Sequence, residues 1–250
     1  IVGLQSQMTP IAMQKGLQIM PRKARRKVFN DHLSPYGMTS VQAGEVEAVH
    51  ESAVENMLKQ QLVQIEGQAD ILTMGLPYLS PYNVNSILNP ILVMCLGLGY
   101  FFNMYRNKPL VRKDGVIIMT HPTPIEFHPV HHPSYIDFFE QVLPDTTDGH
   151  KIAHKYEKQF AEDEWYRHLY RTSYAYHGVH PLYMWYWGSN AMDHAAKIII
   201  VGGDVKAVRR MGFTPASTMN DALEIASDVV GPQPTITHLH NPPVVMADVI

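Results

Sequence analysis

The sequence predicts an α/β fold of the doubly wound class, a mostly parallel sheet with helices on both faces in a Rossmann-like, three-layer arrangement. Two observations carry that expectation. The runs ADILTMG (69–75), VIIMT (116–120) and KIIIVGG (197–203) are short and nearly all apolar, as strands are when both of their faces are covered. Helical segments separate them, and strands alternating with helices pair in parallel.

The elements follow in chain order. Thr9-Pro10 is a helix start, with Thr as cap and Pro at the first helical position, and Met13, Leu17 and Met20 continue it as one apolar stripe. The basic run RKARRK (22–27) reads as a solvated face in a chain that is acidic overall. Residues 1–40 are thus an N-terminal helical arm, or the remnant of an upstream domain, and 41–250 form the α/β domain. A polar helix is expected over 45–60, with Val49, Ala53, Val54, Met57 and Leu58 on one side, leading into the first strand. The stretch SILNPILVMCLGLGYFF (86–102) is seventeen residues long and interrupted by Asn89-Pro90, so it predicts a buried helix rather than a membrane span. Gly97 and Gly99 suit close packing of that helix, whether on another helix or on the sheet. Further helices are expected over 134–142, 151–170 and 182–196. A last one over TMNDALEIASDVV (218–230) begins with Thr218 and Asp221 at capping-box spacing and buries Ala222, Leu223, Ala226 and Val230. TITHLHN (235–241) is the final strand.

The composition narrows the function classes. Twenty Lys and Arg against 23 Asp and Glu give a net charge of −3 with histidine neutral, which argues against a dedicated nucleic-acid or polybasic membrane binder. The lone Cys95 excludes an intrachain disulfide framework and a zinc site of several thiolates. A cytoplasmic setting is the expectation.

In an open α/β sheet, ligands gather beyond the carboxyl ends of the strands. That rule selects Leu76-Pro77-Tyr78, His121, Gly202-Gly203 and His240-Asn241. At the second of these stands HPTPIEFHPVHHPSY (121–135), with four histidines and four prolines in fifteen residues. The imidazoles of His121, His128, His131 and His132 suit proton transfer near neutral pH and are the catalytic candidates. Ten of the fourteen histidines fall between His121 and His194, which favours a functional cluster. The prolines stiffen the loop, so a purely structural role for the rings stands beside the catalytic one. The spacing matches no established metal motif, H-E-x-x-H being absent, and no metal ligand is assigned. Gly202-Gly203 lacks the G-x-G-x-x-G fingerprint and reads as a tight strand-to-helix turn. HPLYMWYWGSN (180–190) offers either an aromatic wall for a planar ligand or core packing.

Taken together, AGEVEAVHESAVE (43–55), ADILTMGLPYLSPYNVNS (69–86), VRKDGVIIMTHP (111–122) and AAKIIIVGGDVKAVRRMGFTPASTMNDALEIASDVVG (195–231) resemble, in that order, the C-terminal half of the lactate racemase family of nickel-pincer enzymes. The resemblance covers roughly residues 40–240. It implies a two-domain α/β enzyme with its active site in the cleft, and an isomerase acting on a 2-hydroxy acid or related substrate by hydride and proton transfer. It also implies a nickel-pincer nucleotide held mainly by an upstream α/β domain, which would be this chain's partner together with a small-molecule substrate. A homo-oligomer is compatible with it; nucleic acid and membrane are not implied. Tyr78, Tyr82, Asn85 and Trp185 become the substrate- or cofactor-binding candidates. The family's Gln and Lys positions on the helix after the first strand hold Leu88 and Ile91 here. That loss supports a second reading, a non-catalytic subunit or binding module that keeps the fold.

Overall fold

A computed structural model describes residues 16, 19–31, 40–78, 82, 88–240 and 246–250. The expected stripe at Met13 and Leu17 lies outside the described residues, as does Asn85. The basic run opens helix α1 (Arg22–Asp31), where most side chains are exposed. Helix α2 (Val46–Gln61) forms where its period predicts; it buries no residue fully, and Val49, Val54, Met57 and Leu58 are half-buried while Ala53 is exposed.

Among the described residues two sheets follow, both parallel throughout. The larger has five strands: β2 (Ala69–Gly75), β4 (Val111–Thr120), β5 (Lys197–Val201), β6 (Thr214–Ala216) and β7 (Ile236–Leu239), in the order β6-β5-β4-β2-β7. The smaller, which the sequence did not announce, joins β1 (Leu62–Ile65), β8 (Met246–Val249) and β3 (Tyr105–Arg106). From β2 the chain steps outward through β4, β5 and β6, then returns across the sheet to place β7 on the other side of β2. That reversal makes the region beside β2 the topological switch point, where this class of sheet opens a crevice.

One face of the large sheet carries most of the helices. Helix α3 starts at Pro90–Met94 and continues through a wider π turn over Cys95–Phe101; Asn89 caps it by accepting the Leu92 N–H at 3.1 Å. Its residues are buried on nearly every side, including Ile91, Val93, Met94 and Leu98 at 0% exposure, so the apolar run is core. No described helix is long and apolar enough to cross a membrane. Both packing roles of its glycines are realised. A Cβ on Gly97 would meet Met119 of β4 and Leu76, and one on Gly99 would lie 2.9 Å from Trp187 Cβ in helix α7 (His180–His194).

Helix α4 runs over Pro133–Asp137 and Phe138–Val142. The single helix expected over 151–170 is two. Helix α5 spans Gly149–Ile152, Ala153–Glu157 and Lys158–Glu162; α6 (Glu164–Thr172) restarts at Asp163, whose carboxylate accepts the Tyr166 N–H at 2.9 Å. An Asp that bonds its own downstream backbone favours a cap over a helix interior. Helix α8 (Val205–Arg210) follows β5. On the opposite face, α9 (Met219–Val230) begins with the expected capping box and presses Ala222 and Ala226 onto Ile71, Val116, Ile118 and Ile199.

At the amino edge, Asp70 ties three strands together. It accepts from Arg112 Nε at 2.6 Å, Thr235 N at 2.8 Å and Thr235 Oγ1 at 2.8 Å. The Arg112 hydrogen bond leads in holding its carboxyl down to about 2.

Candidate functional site

The carboxyl ends of β2 and β4 are neighbours, Gly75 pairing with Thr120, so the segments that follow them emerge side by side. His121 begins the second. Its N–H donates to the Val201 carbonyl at 3.3 Å, and the Asp204 N–H donates to the Pro122 carbonyl at 3.0 Å, which fastens the loop to the β5 turn. The Gly202-Gly203 turn is required there. Gly202 has φ +73, and a Cβ on Gly203 would crowd Ile200 and Val208 and come within 3.4 Å of the His121 carbonyl.

Thr123 closes the turn with φ 44, an unusual value for a β-branched residue, and is fully buried. Its N–H donates to His121 Nδ1 at 2.9 Å, and its hydroxyl donates to the His121 carbonyl at 3.1 Å. Burial lowers the His121 pKa to about 4, so the ring is neutral. With Nδ1 accepting, the single ring proton sits on Nε2. That Nε2–H is buried and has no acceptor. Tyr78 lies against the ring, centroid to centroid 6.2 Å.

Farther along, each remaining histidine spends one nitrogen on the backbone. His128 Nδ1 accepts from the Val130 and His131 N–H groups at 3.2 Å each. His131 Nδ1–H donates to the Tyr174 carbonyl at 2.8 Å, and the two rings stack at 4.1 Å. The His128 pKa is lowered, by burial first and by His131 second. His132 is 0% exposed and donates Nε2–H to the Tyr82 carbonyl at 2.9 Å, leaving a buried Nδ1 lone pair without a donor. Burial lowers its pKa to about 4.

Around His132 further rings assemble, of which the sequence singled out only Tyr82. Tyr176 stacks on His132 at 5.5 Å and on His180 at 4.3 Å. His180 Nδ1 is bonded to the Tyr135 hydroxyl at 2.6 Å, its pKa lowered by burial to about 4. Tyr82 faces His180 at 5.6 Å and bonds the Tyr100 hydroxyl at 2.8 Å. The only sequence signal for this group is the crowding of histidines into 121–194; Tyr135, Tyr176 and His180 meet through tertiary packing alone.

The structure therefore brings Tyr78 to His121 and Tyr82 to His132, with His128 and His131 on the outer turn of the same loop. Trp185 stands apart. It is 0% exposed, its Nε1–H donates to the Thr147 carbonyl at 2.8 Å, and its ring lies between Phe138 and Phe213. In this chain it is a core residue, while its neighbours Tyr183 and Trp187 are the exposed aromatics of α7. At the switch point Thr73 Oγ1 and His238 Nδ1 are 2.7 Å apart, coupling β2 to β7. Cys95 is buried, which pushes its thiol up to about 12 and makes it a poor nucleophile.

No protein-family model matches the chain, and no curated protein matches it. One solved structure similar to it is a lactate racemase. That structure, the apoprotein from Thermoanaerobacterium thermosaccharolyticum, matches with a TM-score of 0.48 and 18% identity over 82% of this chain and 41% of that chain. The chain thus spans less than half the length of that protein.

At the two positions where the sequence resemblance implies polar contacts to the nickel-pincer group, this chain offers none. Leu88 and Ile91 are both 0% exposed and belong to the apolar core. Among the described residues no three His, Cys, Asp or Glu side chains are placed to hold a metal ion.

Proposed function

We propose that this chain is one domain of a lactate-racemase-like isomerase acting on a 2-hydroxy acid or related substrate, at a cleft completed by an upstream α/β domain. The observation that supports it best is the meeting of two loops at the carboxyl edge of adjacent parallel strands, with Tyr78 against His121 and the Tyr82 carbonyl on His132. This is where the fold class puts its ligands. Chemistry at the substrate Cα belongs to the upstream domain in this reading. The present chain binds and orients: His121 offers a buried N–H, and His128 and His131 line the mouth.

A second reading, a binding module without catalysis, is favoured by the burial of Leu88 and Ile91 in place of polar contacts. The two readings diverge in the native protein. The isomerase reading expects an intact mass well above the 28.3 kDa of this chain. It also expects inversion at Cα when 2-hydroxy acids and their amides are followed by chiral chromatography. A native mass equal to that of this chain, with no inversion of any such compound, leaves the binding module.

A further inference from the structure

We propose that the free edge of β1 in the small sheet is the seat of the upstream domain, which adds a strand beside Leu62–Ile65 and covers the adjoining helix α2. This placement rests on the isomerase-domain reading, which supplies the domain.

The small sheet is incomplete as it stands. Its strands are four, four and two residues long and all parallel, whereas all-parallel sheets occur almost only with both faces covered. Its centre is β8, where Ala247, Asp248 and Val249 are buried. Val63 pairs with Ala247 and Ile65 with Val249. Partners in register share a face of the sheet, and Ala247 and Val249 belong to the main core. Val63 therefore stands on the core-facing side, yet it is 45% exposed. The apolar layer runs on past the last described strand.

The backbone at that edge is open as well. β1 has β8 on one side and no described strand on the other. The Ile65 carbonyl accepts the Ile250 N–H at 3.0 Å. Backbone groups alternate in direction along a strand, so the N–H and C=O of Gln64 point away from β8. Exposed edges are ordinarily guarded by charge or proline. Leu-Val-Gln-Ile carries neither. The opposite edge, β3, is only two residues long and bears Arg106, which pairs with Asp248 at 3.4 Å.

Helix α2 leads straight into β1, with Leu62 as its C-cap. No described residue before Ala69 is buried, and Val41 and Val46 are 82% and 80% exposed. A helix of sixteen residues draws most of its stability from packing one face, and the stripe of α2 is only half covered. A domain that precedes residue 40 in a longer polypeptide is tethered through α2 and meets β1 at high effective concentration. The tether selects that domain, rather than a second copy of this chain, as the occupant.

Amide hydrogen exchange in the intact native protein, resolved at Gln64, reads the edge directly. With a strand added, the Gln64 N–H is expected to exchange roughly a hundredfold more slowly than an unpaired chain amide. Exchange at the unpaired rate overturns the proposal. Light scattering at each concentration gives the oligomeric state. Protection that survives dilution to the monomer supports docking by the upstream domain; protection lost on dissociation puts a second copy on the edge and overturns it. A two-domain protein that inverts a 2-hydroxy acid while Gln64 exchanges freely would sink this inference and leave the isomerase reading standing. A protected Gln64 in a two-domain monomer that inverts nothing would do the reverse. A native mass equal to the 28.3 kDa of this chain removes the occupant and overturns both.

Discussion

The four histidines of the 121–135 loop divide by what their second nitrogen meets. His121 and His132 are buried with one ring nitrogen unpartnered each; His128 and His131 are half-buried, stacked on each other, and each already braces the backbone through Nδ1. Substitution should separate them. His132→Ala removes a fully buried ring, its bond to Tyr82 and its stack on Tyr176, and is expected to cost about 2–4 kcal/mol. His128→Ala removes one capping acceptor on a wetter turn and should cost about 1 kcal/mol or less. Urea denaturation of both variants checks the order. Equal midpoints would show that the His132 ring is not part of the core. If the cleft reading holds, His128→Ala or His131→Ala should nevertheless lower activity of the intact protein, and unchanged turnover in both would leave them structural. The positions of Tyr78 and His121 were legible because strand ends are legible. The unpartnered atoms were not, because a tautomer is set by partners such as Thr123 N–H that only the folded turn supplies.

At the scale of elements, the loop that carries Tyr174, Tyr176 and His177 depends on Gly178. A Cβ there would stand 2.2 Å from the Phe160 carbonyl oxygen and 2.9 Å from Tyr166. The oxygen belongs to the backbone of α5 and cannot swing aside. Gly178→Ala is therefore expected to destabilise the protein by about 1–3 kcal/mol, as overpacking does. It should also loosen the Tyr176–His180 stack, which hydrogen exchange over 173–180 would detect; unchanged exchange and stability would mean the loop has room the structure does not show. The long apolar or strongly periodic elements, β2, β4, β5, α3 and α9, were readable because each carries its burial pattern in consecutive residues. The three-stranded sheet was not. Its strands are four, four and two residues long and come from distant parts of the chain, so no window of sequence contains the pairing. The break at Asp163 was missed for a related reason. The apolar spacing continues through it, and only the carboxylate's bond to Tyr166 N–H shows that a new helix begins.

For the molecule as a whole, three neutral imidazoles buried under two loops make stability depend on pH. His121, His132 and His180 each have a folded pKa of about 4, below the ordinary 6.5, with burial as the leading cause. As pH falls below 6.5 the unfolded chain takes up these protons and the folded one does not. The stability tied to their neutrality is thus complete above that pH and is lost progressively down to about 4, where the folded rings titrate too. One ring displaced by that much is worth roughly 3 kcal/mol across the window. Asp70 contributes in the same direction at lower pH, its stabilisation lasting until its carboxyl protonates between 3.8 and about 2. Since a domain of ordinary stability has only about 5–15 kcal/mol in reserve, unfolding by acid should come before pH 4 and be cooperative. Urea midpoints measured at about pH 7.5 and about pH 5 should differ, the lower pH giving the lower midpoint. In His180→Phe, which keeps a ring but removes the titrating nitrogens, the difference should shrink by about a third of its wild-type size if the three sites contribute alike. A wild-type midpoint that does not move between the two pH values would mean the rings are already charged in the folded protein. The buried rings would then be open to water.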